Sequence, residues 1–246
     1  MQRLARAILL VTLCYIVTAT QSHVQAKTLP TPITGTFIWN DFHIADQQTM
    51  DMYLDGMKKV GIDTVIWAHA GAVHRGSINN EDCSSTVIIE KNFFTNDRPE
   101  FASNYLSNAE KLISSVKDKG MSLYIGLAAT GSCYDWWQGP PETPGTGSYN
   151  VINLSRKLIQ GYQNLCSTRG WDCSFVKGFY IPSEQAIHAL TWPGNAEYFT
   201  AISQMIRDLE PNKKILISPY KNEAVGYQQV YDATHWILTN TKIDII

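Results

Sequence analysis

The sequence has no cluster of positive charge, and this excludes the commonest electrostatic route to a nucleic acid. Its 246 residues carry 20 lysines and arginines against 22 aspartates and glutamates, a formal charge of -2 that is spread rather than grouped. Phosphate backbones are held by basic patches, and none is visible. No glycine-rich GxGxxG follows the first predicted strand, which removes the fingerprint of a dinucleotide-binding fold. No HxH pair stands on that strand, and His69 and His74 in the run HAGAVH fit no familiar zinc spacing. Neither a metal nor another cofactor is therefore expected.

Long apolar runs are also missing, since none reaches the roughly 20 residues of a membrane span. The nearest is Ala7 to Ala19, preceded by Arg3 and Arg6, interrupted only by threonines, and followed by Val24-Gln25-Ala26 where a signal peptidase reads small residues. Residues 1–26 are expected to be a signal peptide cleaved after Ala26, with an uncleaved anchor as the alternative. The mature protein, 27–246, would then be secreted, extracellular or periplasmic, and free of the membrane. Cleavage removes two arginines and no acids, leaving 18 basic against 22 acidic residues, about -4.

Cysteine is scarce, and its distribution agrees with export. Of five cysteines, Cys14 falls in the signal segment, which leaves Cys83, Cys133, Cys166 and Cys173. An even set in an exported chain points to disulfides. Three pairings are possible. The favoured one joins Cys166 to Cys173 across a short local loop, and Cys83 to Cys133 in the loops after the second and third strands. The run CSTRGWDC lacks the tight spacing and adjacent histidine of a structural zinc site.

What is present is a repeated strand-helix unit. Strands are predicted at Gly35 to Asn40, Thr64 to His69, Ser122 to Ala128, Gly178 to Pro182, Lys214 to Ser218 and from Lys242 onward. Between them run helical patterns: Met50, Tyr53, Leu54, Met57 and Val60; Tyr105, Leu106, Ala109, Leu112, Ile113 and Val116; Val151, Leu154, Leu158, Tyr162 and Leu165; Phe199, Ile202, Met205, Ile206 and Leu209. A weaker helix is predicted between Glu223 and Leu238, and the stretch after the second strand reads as a long polar loop. Continuous apolar strands separated by amphipathic helices mean a parallel sheet covered on its faces. The expected fold is α/β, a (β/α)8 TIM-type barrel of which strands one to six are present. The chain would be a fragment truncated after the sixth strand and unable to close the barrel, hence inactive and aggregation-prone by itself.

The run GFYIPSE, from Gly178 to Glu184, is the most informative stretch, because it is a short apolar strand that ends in a carboxylate. Barrel active sites lie at the carboxyl ends of the strands. Glu184 is therefore the first candidate for a catalytic acid, with Tyr180, Ile181 and Pro182 expected to desolvate its carboxyl. Aromatics at the predicted strand ends suit a sugar ring, which has both C–H and hydroxyl surfaces. By strand parity Trp39 pairs with Asp41 beside Asn40, Trp67 with His69, and Tyr180 with Glu184. Trp136 and Trp137 lie in the third loop, and Tyr220 follows the fifth strand. Asn153 opens a glycosylation sequon with Leu154 and Ser155.

GTFIWND, GIDTVIWAHA, GMSLYIGLA, GFYIPSE and ILISPY, in this order, resemble a domain-of-unknown-function barrel family related to glycoside hydrolases, DUF4434. The resemblance runs from about Gly35 to the last residue. It implies a TIM-type barrel with a sugar-directed site, the general acid after strand four and a second carboxylate after strand seven. Glu184 matches the first position, although Ser183 precedes it where many such enzymes have asparagine. Strand seven is not among these residues, and Asp41 and Glu223 are weak substitutes for its carboxylate. The expected function is a secreted glycosidase acting on a glycan by general acid/base catalysis, monomeric at full length. A non-catalytic carbohydrate-binding barrel is the rival.

Overall fold

The computed structural model describes residues 34–38, 46–77, 80–95, 105–132, 139–221 and 224–246. The signal segment, Trp39, Asn40, Asp41, Cys133, Trp136, Trp137 and Glu223 lie outside the described residues. Five strands form one parallel sheet: β1 (Gly35–Ile38), β2 (Thr64–Trp67), β6 (Ser122–Gly126), β8 (Val176–Tyr180) and β9 (Lys214–Leu216), adjacent in that order. The sixth apolar run joins the open side of β9, where Ile245 bridges Leu216 in parallel and Ile217 N–H donates to the Ile245 carbonyl at 3.1 Å. Asp244 secures this edge by accepting from Ile215 N–H at 2.9 Å and from Arg207 at 2.7 Å. The architecture is the expected α/β one, a partial barrel of TIM type.

Register explains which side chains reach the core. Ile38, Trp67, Ile125, Phe179 and Ile215 face one another from strand to strand in a single row. All five are buried in one cluster with Leu54, Leu112, Leu158 and Phe199 of the helices. The neighbouring row, Phe37, Ile66, Tyr124, Gly178 and Lys214, points to the opposite face, as strand alternation requires. This inner face is only partly covered, with Phe37 and Lys214 exposed and Ile66 and Tyr124 half-buried.

Helices α1 (Gln47–Lys59), α2 (Tyr105–Asp118), α3 (Gly147–Arg169), α4 (Pro193–Leu209) and α5 (Tyr227–Asn240) return the chain between strands. Helix α1 starts where Asp46 accepts from Thr49 N–H at 2.7 Å, an N-cap that satisfies an otherwise orphaned donor. Its core stripe is narrower than expected: Met50, Leu54 and Met57 are buried, but Tyr53 and Val60 are exposed. Helix α3 buries Val151, Leu154, Leu158, Tyr162 and Leu165 and ends at Gly170, whose φ of 64° is the left-handed C-cap that glycine adopts freely. Cys166 near its end is bonded to Cys173. Cys83 is also disulfide-bonded.

One segment departs from the expected loop. After β2 the chain forms β3 (Gly71–Ser77), β4 (Asn80–Glu81) and β5 (Ile88–Asn92), in which β3 pairs antiparallel with both β4 and β5. The third predicted strand ends early at Gly126 and resumes as β7 (Ala128–Thr130), which leaves the barrel sheet to pair in parallel with β3. Gly126 permits this parting of strands, because a Cβ there would lie 2.2 Å from the carbonyl oxygens of Trp67 and Ala68.

Candidate active site

A cavity of about 530 Å³ opens at the carboxyl ends of the parallel strands, the end that carries barrel active sites. One wall is barrel: Phe37 of β1, Ala68 and His69 after β2, and Tyr180, Pro182 and Glu184 at and after β8. The other is the inserted sheet and its partner: Ala72, His74, Asn80, Glu81 and Lys91, then Ala129, Thr130 and Gly131. The polar groups converge from two sheets onto one space, and Phe37 and Tyr180 meet edge to face at 5.1 Å to give it an aromatic side.

Glu184 is held by the strand that precedes it. Tyr180 Oη donates to Glu184 Oε1 at 3.1 Å and lies 2.7 Å from Ser218 Oγ. A phenol has one proton to give, so the Ser218 hydroxyl donates to Tyr180 and a short relay ends on the glutamate. Burial first, then the charge of Glu184 and its hydrogen bond, push the Tyr180 hydroxyl up to about 12, against the Ser218 contact. Tyr180 thus remains a donor over the whole working range of pH. With Oε1 engaged, Oε2 is the oxygen left for a proton or a ligand.

The setting of Glu184 differs from the expected apolar one. Its side chain is exposed, because the backbone after Tyr180 turns out of the strand and Ile181 is buried away from it. Ser183 makes no part of the cavity wall; its Oγ is 2.9 Å from Tyr198 Oη in the interior and ties the segment to α4. Burial pushes the Tyr198 hydroxyl well above the ordinary tyrosine value.

His69 lies in the wall, where burial pushes its imidazole down to about 4. It is neutral at physiological pH, able to donate from one ring nitrogen and accept at the other. His74 is buried in the opposite wall, and its Nε2 carries the proton donated to the Ser77 carbonyl at 2.9 Å.

Two of the expected sugar contacts are not brought here. Trp67 belongs to the helix-facing row: it is 4% exposed and edge to face with Phe93 at 6.0 Å and Phe94 at 5.8 Å. The parity that placed it beside His69 fails because the strand ends at Trp67 and the chain turns before His69. Tyr220 meets the segment after Glu184 through its backbone, bridging Ala186, while its side chain is exposed outside the cavity wall. Asn153 is half-buried on α3. Conversely, the sequence reading missed Phe37, Asn80, Glu81, Lys91 and Ser218. The β-branched run Val87-Ile88-Ile89 was the available signal for the inserted strand that carries Lys91.

Among solved structures, the fold is shared with a candidate alpha-L-fucosidase from Bacteroides thetaiotaomicron, at a TM-score of 0.60 and 19% identity over 86% of this chain and 62% of that one. An intracellular xylanase from Thermoanaerobacterium saccharolyticum aligns with a TM-score of 0.47 and 13% identity over 86% of this chain and 61% of its own. The chain therefore spans about three fifths of the length of these two proteins. At 19% identity the likeness to the first is one of fold alone. No curated protein matches the chain. A family model does match, over residues 33–246 and hence over the whole of the partial barrel and its insertion, and the chain belongs to that family, Domain of unknown function (DUF4434).

Proposed function

We propose that this protein is a secreted glycosidase in which Glu184 acts as general acid/base on a glycan. The observation that carries the reading is the Ser218–Tyr180–Glu184 relay, which fixes a carboxylate at the mouth of a strand-end cavity. Glycoside hydrolysis needs a carboxyl that protonates the leaving oxygen. An aromatic side formed by Phe37 and Tyr180, with the neutral imidazole of His69 in the same wall, fits a sugar ring. The likeness to the candidate fucosidase supports a carbohydrate ligand at the level of fold. Trp39, Asn40, Asp41, Trp136 and Trp137 remain proposed contacts from the neighbouring loops.

Residues 1–26 are proposed as a cleaved signal peptide, and the Cys166–Cys173 bond supports an oxidising destination. The partner of Cys83 is proposed to be Cys133, which non-reducing peptide mapping decides: a Cys83–Cys133 peptide supports it and any other partner refutes it. The mature protein is proposed to act as a monomer, with Asn153 glycosylated if the host is eukaryotic.

One observation favours a second reading, the carbohydrate-binding barrel: the Glu184 carboxyl is exposed rather than sealed in apolar surroundings. The experiment that separates the two is turnover by the intact protein on a panel of aryl glycosides, with titration of the same sugars followed by calorimetry. Hydrolysis of any member supports the enzyme. Binding without hydrolysis supports the module, and neither activity refutes both.

A further inference from the structure

We propose that Glu81, on the inserted sheet, is the second carboxylate of the reaction, acting as the base opposite Glu184. This rests on the glycosidase reading. Among the described residues, Glu81 and Glu184 are the two carboxylates that line the cavity, and they come from opposite walls. Hydrolysis of a glycoside calls for two such groups flanking the scissile bond.

The inserted sheet is built so that Glu81 reaches the cavity. Near the end of β3, Gly76 has a φ of +121° and lies so close to β4 that a Cβ would stand 2.4 Å from the Asn80 carbonyl oxygen. His74 braces the end of β3 through its bond to the Ser77 carbonyl. From β4, Glu81 extends to the segment after β7, where Ser132 Oγ donates to its Oε2 at 3.0 Å. Gly131 makes the room, since a Cβ there would stand 2.1 Å from Glu81 Oε1. The Ser132 bond and the close approach of Gly131 fix the direction in which the Glu81 carboxyl is held.

In the proposed step Glu184 gives its proton to the glycosidic oxygen as that oxygen leaves the anomeric carbon. Glu81 takes a proton from the water whose oxygen forms the new bond to the same carbon. Water is thereby added across the glycosidic bond, and proton exchange with solvent restores Glu184 to its acid form and Glu81 to its carboxylate.

The test uses the intact protein and an aryl glycoside that it hydrolyses. Glu81→Gln should lose on the order of 10²-fold or more in kcat with a native circular dichroism spectrum, the usual worth of acid/base catalysis. Glu81→Ala should regain at least roughly tenfold in sodium azide with release of the glycosyl azide, because the small anion occupies the vacated place and needs no deprotonation. A purely structural glutamate would show no such rescue. Turnover by Glu81→Gln within about twofold of wild type, or no azide rescue, overturns the assignment. If Glu81→Gln does not fold, Glu81→Asp decides: a loss of about tenfold or more in a native protein supports the role, and unchanged turnover refutes it. Loss of activity in Glu184→Gln alone would leave the glycosidase reading standing and remove Glu81 from it, whereas a wild type inactive on every glycoside removes both.

Discussion

The molecule has two sheets that meet at one cavity, and they are built on opposite terms. The parallel sheet sets its row from Ile38 to Ile215 against helices and buries it almost completely, so its strands are fixed by apolar contact. The antiparallel insertion carries Arg75, Glu81, Glu90 and Lys91 on or at its strands, and most of its side chains are half-buried or exposed. Among its anchors are Ile89 and Val73 in the interior, the pairing of β3 with β7, and the ion pair of Glu90 with Lys157 of α3 at 2.6 Å. The barrel thus supplies a rigid frame with one carboxylate, and the insertion supplies the polar groups that face it. Stability should reside in the first, and selectivity in the second.

The contrast is broken most severely at Trp67. Replacing it with alanine should cost about 3–5 kcal/mol, the usual loss for deleting a buried large aromatic, and denaturant melts would read it. A substitution that left the midpoint unchanged while weakening glycan binding would return Trp67 to the site and undo the row assignment.

A smaller effect is expected at the junction of the sheets. His69 in the folded chain holds its proton only below about 4, against an unperturbed value of about 6.5. The unfolded chain therefore binds the proton first as pH falls, so stability is lost from about pH 6.5 down through the folded value. Between pH 7 and pH 5 this should amount to about 2 kcal/mol or less, and His69→Gln should flatten that part of the profile. A wild-type melting curve that is unchanged over this interval contradicts a buried neutral imidazole.

Least costly should be the tie between insertion and helix. The Lys157–Glu90 pair is solvent-facing, and Lys157→Ala should lower stability by about 0–1 kcal/mol, less in high salt. A loss of several kcal/mol would mean that the insertion is integral to the frame.

The same contrast decided what the sequence could disclose. Every strand of the parallel sheet was legible because its helix-facing row is buried and must be apolar, and TVIW, SLYIG and GFY stand out against their flanks. The insertion was not, since GAVHRGS and NE mix glycine, charge and short apolar pieces, and their pairing is set by partners distant in sequence. The position of Glu184 in the cavity wall was legible because it follows such a strand. Glu81 lies on a two-residue strand whose position depends on Ser132, 51 residues away, and no local pattern announces that contact. Trp67 was placed by a correct period on a strand that stops two residues short of His69, where the parity argument needed it to reach.

The central claim is that Glu184 exchanges a proton during turnover, and the most direct test compares rate with binding in Glu184→Gln. The amide keeps the size of the side chain and the acceptor for Tyr180 but has no acidic proton. The account predicts a fall in kcat on the order of 10²-fold or more, with the calorimetric Kd for the same sugar within a few-fold of wild type. Wild-type turnover in the Glu184→Gln protein would contradict it.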